Sequence, residues 1–113
     1  MISKLYRLRR WRVQKVLNKG ENKKVGLFIV KYLPNKCKYH RWSLVLSRKF
    51  EKLATVRNKK RRQIYEAIRN NLPSQPETEQ FYDIVLIPHK QILSCNYDRI
   101  VQNTNDIFTS LAP

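Results

Sequence analysis

The side chains of this 113-residue chain best equipped for chemistry are cations. Arg57, Arg61 and Arg69 share one four-residue row with Tyr65, and Asn58, Lys59 and Arg62 stand beside it. On a helix, residues four apart form a single ridge. Guanidinium groups on such a ridge suit phosphate, which each can grip through two parallel N–H bonds. The same pattern fits a solvated charged face, with Lys59 and Lys60 in water and Tyr65 packed inward. Groups for metal or nucleophilic chemistry are not gathered in the same way. A metal-dependent nuclease needs clustered carboxylates, whereas the eight acids here are scattered, Glu77 and Glu79 among them in a polar stretch. Cys37 with His40, and His89 with Cys95, match no standard zinc spacing and read as reduced thiols and polar loop histidines. No catalytic residue and no metal ligand is expected on this chain.

The charge balance agrees with a phosphate partner. Twenty-four Lys and Arg against eight Asp and Glu give +16. Residues 1–62 hold 21 of the basic residues and two acids, and residues 63–113 hold three and six. A field this lopsided points to a polyanion, since binding phosphates releases condensed counterions, and argues against most enzymes of small metabolites. An anionic membrane is the weaker partner, because no lipidation signal is present and no apolar run nears the ~20 residues that span a bilayer. The first residues lack a signal-peptide core, so a cytoplasmic location is expected. With two Gly and 42% hydrophobic residues, the chain is a folded single domain, 1–113, rather than a low-complexity arm.

Elements that could position the ridge follow from periodicity. Trp11, Val13, Val16 and Leu17 among basic residues suggest a helix from Leu8 to Lys19, stopped by Gly20. Val25–Leu33, closed by Pro34-Asn35, and Trp42–Ser47 read as strands, and the short link between them suggests an antiparallel pair. Thr55–Asn71 is a helix whose Val56, Ile64, Ala67 and Ile68 form an apolar face. Pro73–Gln80 is an exposed loop. Phe81–Ile87 has central-strand character and ends at Pro88. Asn96 caps a last helix with Tyr97, Ile100, Val101, Thr104, Ile107, Phe108 and Leu111 at i, i+3, i+4, i+7 spacing. The order α, β, β, α, β, α implies one sheet with helices packed on it.

The segment Val56-Arg57-Asn58-Lys59-Lys60-Arg61-Arg62-Gln63-Ile64-Tyr65-Glu66-Ala67 resembles the signature of the protein subunit of bacterial ribonuclease P. The flanks fit as well: Gln14 to Gly20 is similar to the family's first helix, Tyr32-Leu33-Pro34-Asn35 to a strand end, Arg41-Trp42 through Lys49 to its central strand, and Asp83–Ile87 with His89-Lys90 and Tyr97 to its closing strand and helix. The resemblance covers roughly residues 8–111. Tyr65 stands where the family usually has a further Arg, Val13 and Leu17 where it has phenylalanines, and His89 where an Arg is common.

The resemblance implies a single-domain α-β sandwich, a mixed sheet with helices packed on it, ribosomal protein S5 domain 2-like, with a left-handed βαβ crossover. That hand runs against the general preference for right-handed connections. It further implies that hydrolysis of the precursor-tRNA 5′ leader is carried out by a catalytic RNA subunit, with Mg2+ bound mainly by that RNA. Arg57, Asn58, Lys59, Arg61, Arg62 and Arg69 would dock on the catalytic RNA, one protein copy per holoenzyme, with no membrane involved. Trp11, Val13, Leu17, Lys31, Ser47, Lys49 and His89 would line a cleft for the single-stranded leader. Helical spacing alone also allows Val13 and Leu17 to be core. Other readings of the same residues are a ribosomal-type structural RNA-binding protein and a self-sufficient nuclease.

Overall fold

The computed structural model describes residues 7–36, 39–46, 51–71 and 81–111. In chain order the elements are α1 (Arg10–Lys19), β1 (Glu21–Val25), β2 (Phe28–Asn35), β3 (Arg41–Leu44), α2 (Ala54–Asn71), β4 (Phe81–Pro88), a 3-10 helix (Lys90–Ser94) and α3 (Tyr97–Leu111). The loop expected at Pro73–Gln80 lies outside the described residues.

The four strands form one mixed sheet in the order β1-β2-β4-β3. β2 pairs antiparallel with β4, and β3 pairs with β4 in parallel. The expected antiparallel pairing of the second and third strands is therefore wrong, because β4 lies between them. The interior place suits β4, whose Asp83, Ile84, Val85 and Leu86 are all fully covered by layers on both faces of the sheet. Alternation along β4 sorts the two faces of the sheet. Ile84 and Leu86 join Phe28, Val30 and Trp42 in a core closed by Ile64, Tyr65 and Ile68 of α2 and by Ile100, Ile107 and Phe108 of α3. Asp83 and Val85 face the other way, toward α1.

The run expected as one strand from Val25 to Leu33 is instead the second half of a hairpin. Glu21–Val25 pairs with Phe28–Tyr32 around Gly26-Leu27. Gly26 has φ +55°, at the first loop position, where two-residue hairpin loops of the II′ kind place glycine. A side chain there would also collide with Asn103, whose Oδ1 would lie 1.7 Å from the added Cβ. That oxygen accepts the Leu27 N–H at 3.0 Å, so α3 clamps the turn. β1 escaped sequence reading because Glu-Asn-Lys-Lys has no apolar alternation; it is an edge strand whose half-buried positions are filled by Lys23, which donates to the Ser110 carbonyl of α3, and by Val25.

α1 is held by charge more than by apolar burial. Val16 is its one fully buried side chain. Beneath it, the wholly buried Asp83 carboxylate accepts Nε of Arg12 from α1, Nε and Nη2 of Arg41 from β3 at 2.7 and 2.8 Å, and Nδ2 of Asn35 from β2 at 2.9 Å. Burial pushes the Asp83 pKa up, but the bonds from Arg41, Arg12 and Asn35 together outweigh it and hold the carboxyl below its ordinary value.

His40, expected as a polar loop residue, is also buried. Its Nδ1 accepts the backbone N–H of Tyr82 at 3.0 Å, and its ring stacks on that of Tyr82. Burial lowers its pKa to about 4.

Both groups bind protons more readily in the unfolded chain, so stability should fall with pH in two stages. His40 gives the loss between its unfolded value, about 6.5, and about 4, amounting to roughly 3 kcal/mol. Asp83 gives the loss below its unfolded value of about 4. In urea unfolding against pH, His40→Gln should flatten the first stage. Asp83→Ala at pH 7 should cost about 3 kcal/mol, since it leaves Arg12 and Arg41 without their shared carboxylate.

Candidate RNA interface

α2 carries the expected cations but does not use them alike. Arg57 folds back, and its Nη1 donates to the carbonyls of Glu51 and Lys52 at 3.0 and 3.4 Å. It thereby ties the loop before the helix to the first turn. Lys60 is 8% exposed, and its Nζ donates to the Cys95 carbonyl at 3.1 Å. Burial pushes its pKa down. This lysine is a strut between α2 and the start of α3, so the solvated reading fails for it, whereas Lys59 is exposed. Arg69 is exposed and pairs with Glu66 one turn back at 3.5 Å. Tyr65 does not continue the ridge: at 5% exposure it belongs to the core, as its place beside Ile64 and Ile68 on the helix demands.

Over the covered Tyr65 ring stands a residue that sequence reading missed. The Arg7 guanidinium carbon lies 5.7 Å from the ring centroid, within cation–π range. The segment before α1 is pinned to β3, with Arg7 bridged to Trp42 and the Leu8 N–H donating to the Trp42 carbonyl at 2.8 Å. Arg7, Thr55, Asn58, Arg61 and Arg62 line one open depression of about 500 Å³. Within it Arg61 Nη1 donates to Asn58 Oδ1 at 3.0 Å. Three guanidinium groups, a hydroxyl and an amide around one hollow are donors of the kind that suits the oxygens of a phosphodiester. No local pattern could have found Arg7, which arrives through a contact with a strand 35 positions away.

The cleft residues fall on α1 and the sheet face below it. Val13 and Leu17 are half-buried on one flank of the helix, between the core and open-cleft readings. Lys31 Nζ approaches the Leu17 carbonyl at 3.5 Å, so these three gather together. Trp11 does not join them. With 100° per residue, it lies more than 110° round the helix from both Val13 and Leu17, and it borders a separate basin. Ser47 and Lys49 lie outside the described residues. His89 is exposed beyond the end of β4, where its Nδ1 accepts the Gln91 N–H at 3.1 Å and caps the 3-10 helix.

Among the described residues no three of His, Cys, Asp or Glu converge as metal ligands. The most buried carboxylate, Asp83, is occupied by Arg12 and Arg41. Cys37 lies outside the described residues, and the Nδ1 of His40 is engaged by the Tyr82 N–H. No described helix is long and apolar enough to cross a membrane.

The sequence profile of the family Ribonuclease P matches residues 2–112. The chain belongs to the ribonuclease P protein family. A ribonuclease P protein component from Synechocystis is 31% identical over 110 residues, covering 96% of this chain and 86% of that protein. The ribonuclease P protein of Thermotoga maritima superposes with a TM-score of 0.79 at 27% identity, over 95% of this chain and 98% of that one. The Staphylococcus aureus protein, at 22% identity and a TM-score of 0.72 over 95% and 96%, shares the fold. The resemblance carried by Val56–Ala67 and its flanks is thus borne out, and with it the mixed α/β architecture. Membership makes the chain the protein component of a ribonuclease and implies an RNA partner in the holoenzyme and a role in tRNA processing.

The division between structural and outward cations is measurable. Arg7→Ala and Arg61→Ala should each flatten the salt dependence of RNA binding by about one unit in the slope of log K against log salt. Lys60→Met should leave that slope unchanged and instead lower the urea midpoint, because it removes the bond to the Cys95 carbonyl.

Proposed function

We propose that this protein assists a catalytic RNA in removing the 5′ leader from precursor tRNA in the cytoplasm, one copy per holoenzyme, and that it contributes placement rather than bond cleavage. The depression bounded by Arg7, Thr55, Asn58, Arg61 and Arg62 is the observation that carries this reading. Its guanidinium groups meet phosphates of the catalytic RNA, with Lys59 and Arg69 extending the contact along α2. Arg57 acts there by holding the start of α2 in place. On the opposite face of the sheet, Val13, Leu17 and Lys31 receive the single-stranded leader, apolar surface meeting bases and cations meeting the backbone; by family resemblance Ser47 and Lys49, outside the described residues, belong to the same set.

The donor set does not suit Mg2+. That ion takes oxygen ligands in a tight octahedron, and the described carboxylates are dispersed or, for Asp83, spent on arginines. In this reading Mg2+ is held mainly by the RNA. The protein's part is electrostatic: cations placed against the RNA lower the repulsion among phosphates that otherwise demands more Mg2+.

Reconstitution tests the reading. At limiting Mg2+, this protein should restore cleavage of a leader-bearing precursor by a bacterial catalytic RNA, and by itself it should cleave nothing. Absence of rescue would overturn the assignment, and cleavage by protein alone would move the chemistry onto this chain. Leu17→Asp should weaken binding of the leader-bearing precursor about tenfold, from the cost of a charge in an apolar contact, without changing affinity for mature tRNA.

A further inference from the structure

α1 has a second flank. Val16 and Arg12 point into the sheet, so Trp11, Lys15 and Lys19, at i, i+4 and i+8, run along the edge away from Val13 and Leu17. Against that edge lies an open basin of about 570 Å³, completed by Leu33, Pro34 and Lys36 from the end of β2 and the turn after it. Arg12 and Arg41 lie at its margin, already paired with Asp83.

Trp11 is the unusual feature. Its side chain is 66% exposed, whereas the other tryptophan of the chain, Trp42, is 1% exposed in the core. A flat indole left largely in water beside the half-buried Leu33 is apolar area that folding does not use. Lys15, Lys19 and Lys36 have no hydrogen-bond or ion-pair partner among the described residues, and no acid lines the basin. The combination is an aromatic platform, an apolar floor and three unpaired ammonium groups.

We propose that this basin is a binding site for single-stranded RNA, with one unpaired base stacked on Trp11 and the neighbouring phosphates met by Lys15, Lys19 and Lys36. Stacking on an aromatic with cations along the backbone is how unpaired strands are held without reading their sequence. Duplex RNA keeps its base faces covered and could use only the lysines. An acidic protein segment would likewise leave the exposed indole without a role. The site is separate from the Val13–Leu17 cleft, and the inference stands whichever strand that cleft receives.

The two tryptophans supply the measurement. Because Trp42 is buried, solvent-exposed emission of the full chain reports Trp11. A short single-stranded RNA should quench that emission saturably, and a blunt duplex of the same length should not. Affinity for a labelled single strand should fall roughly 5- to 100-fold in Trp11→Ala and change little in Trp11→Phe, and Lys15→Glu with Lys19→Glu should flatten its salt dependence. No saturable quenching, equal quenching by duplex, or an unchanged affinity in Trp11→Ala would each overturn the proposal. In the reconstituted complex, quenching by catalytic RNA alone assigns the strand to that RNA, quenching that requires a leader-bearing precursor assigns it to the leader, and quenching by neither sinks the site. Failed cleavage with intact quenching would instead count against the proposed function and leave this site standing.

Discussion

A single buried carboxylate sets where the first helix lies, and both surfaces beside that helix depend on it. Asp83 is fully excluded from water, a state that would be prohibitive for an unpaired anion. It is tolerated because donors from three different elements converge on it: Arg12 from α1, Arg41 from β3 and Asn35 from β2. The convergence also makes the cluster specific. Apolar contact between α1 and the sheet is non-directional and rests on one fully buried side chain, Val16, so by itself it would let the helix slide or roll. The directional bond from Arg12 to a carboxylate that Arg41 and Asn35 hold in place restricts both movements. The Val13–Leu17 flank and the Trp11 basin lie on either side of a helix fixed in this way.

The same residue type does opposite work elsewhere in the chain. Arg57 and Lys60 lie inside the most basic stretch, yet both donate to backbone carbonyls of the protein itself. Arg7, which sits outside that stretch, ends on its outer surface beside Arg61 and Arg62. A basic run therefore marks a helix as cationic without showing which of its cations face outward. Burial decides, because an ammonium turned inward must find oxygen acceptors within the fold and loses its reach toward a partner.

Sequence legibility followed from the range over which each feature is determined. α3 was readable in detail, from the Asn96 cap, whose Oδ1 accepts the Arg99 N–H at 3.0 Å, to the buried Ile100, Thr104, Ile107 and Phe108 on one face. Every determinant there lies within a few residues. β4 was readable as an interior strand for the same reason, but its two neighbours were not, since strand order is a long-range choice that periodicity does not encode. β1 carried no pattern, because its inward side is filled by a lysine, Lys23, and a single apolar residue, Val25. Of the candidate site, Arg61, Arg62 and Asn58 were legible as one face of α2, and Arg7 was not. The separation of Trp11 from Val13 and Leu17 was within reach of the sequence, because a 100° step per residue puts them on opposite flanks of any α-helix that contains all three.

Arg7 and Leu8 tie these surfaces together. β3 is an edge strand, with β4 on one side only, and an uncovered edge offers unpaired N–H and C=O groups to other chains. The segment entering α1 covers part of that edge through the Arg7–Trp42 bridge and the bond from the Leu8 N–H to the Trp42 carbonyl. In doing so it passes from one face of the sheet to the other: the Arg7 side chain lies over Tyr65 of α2, and three residues later α1 begins on the opposite face. Trp42 anchors this passage from inside, packed edge-on against Phe108 of α3 with its ring centroid 4.9 Å away. The hollow on α2 and the two flanks of α1 are thus held in a fixed relation by covalent chain and buried packing within the protein. A strand seated on one surface would find the other at a set distance and orientation, which is what catalysis by placement would require.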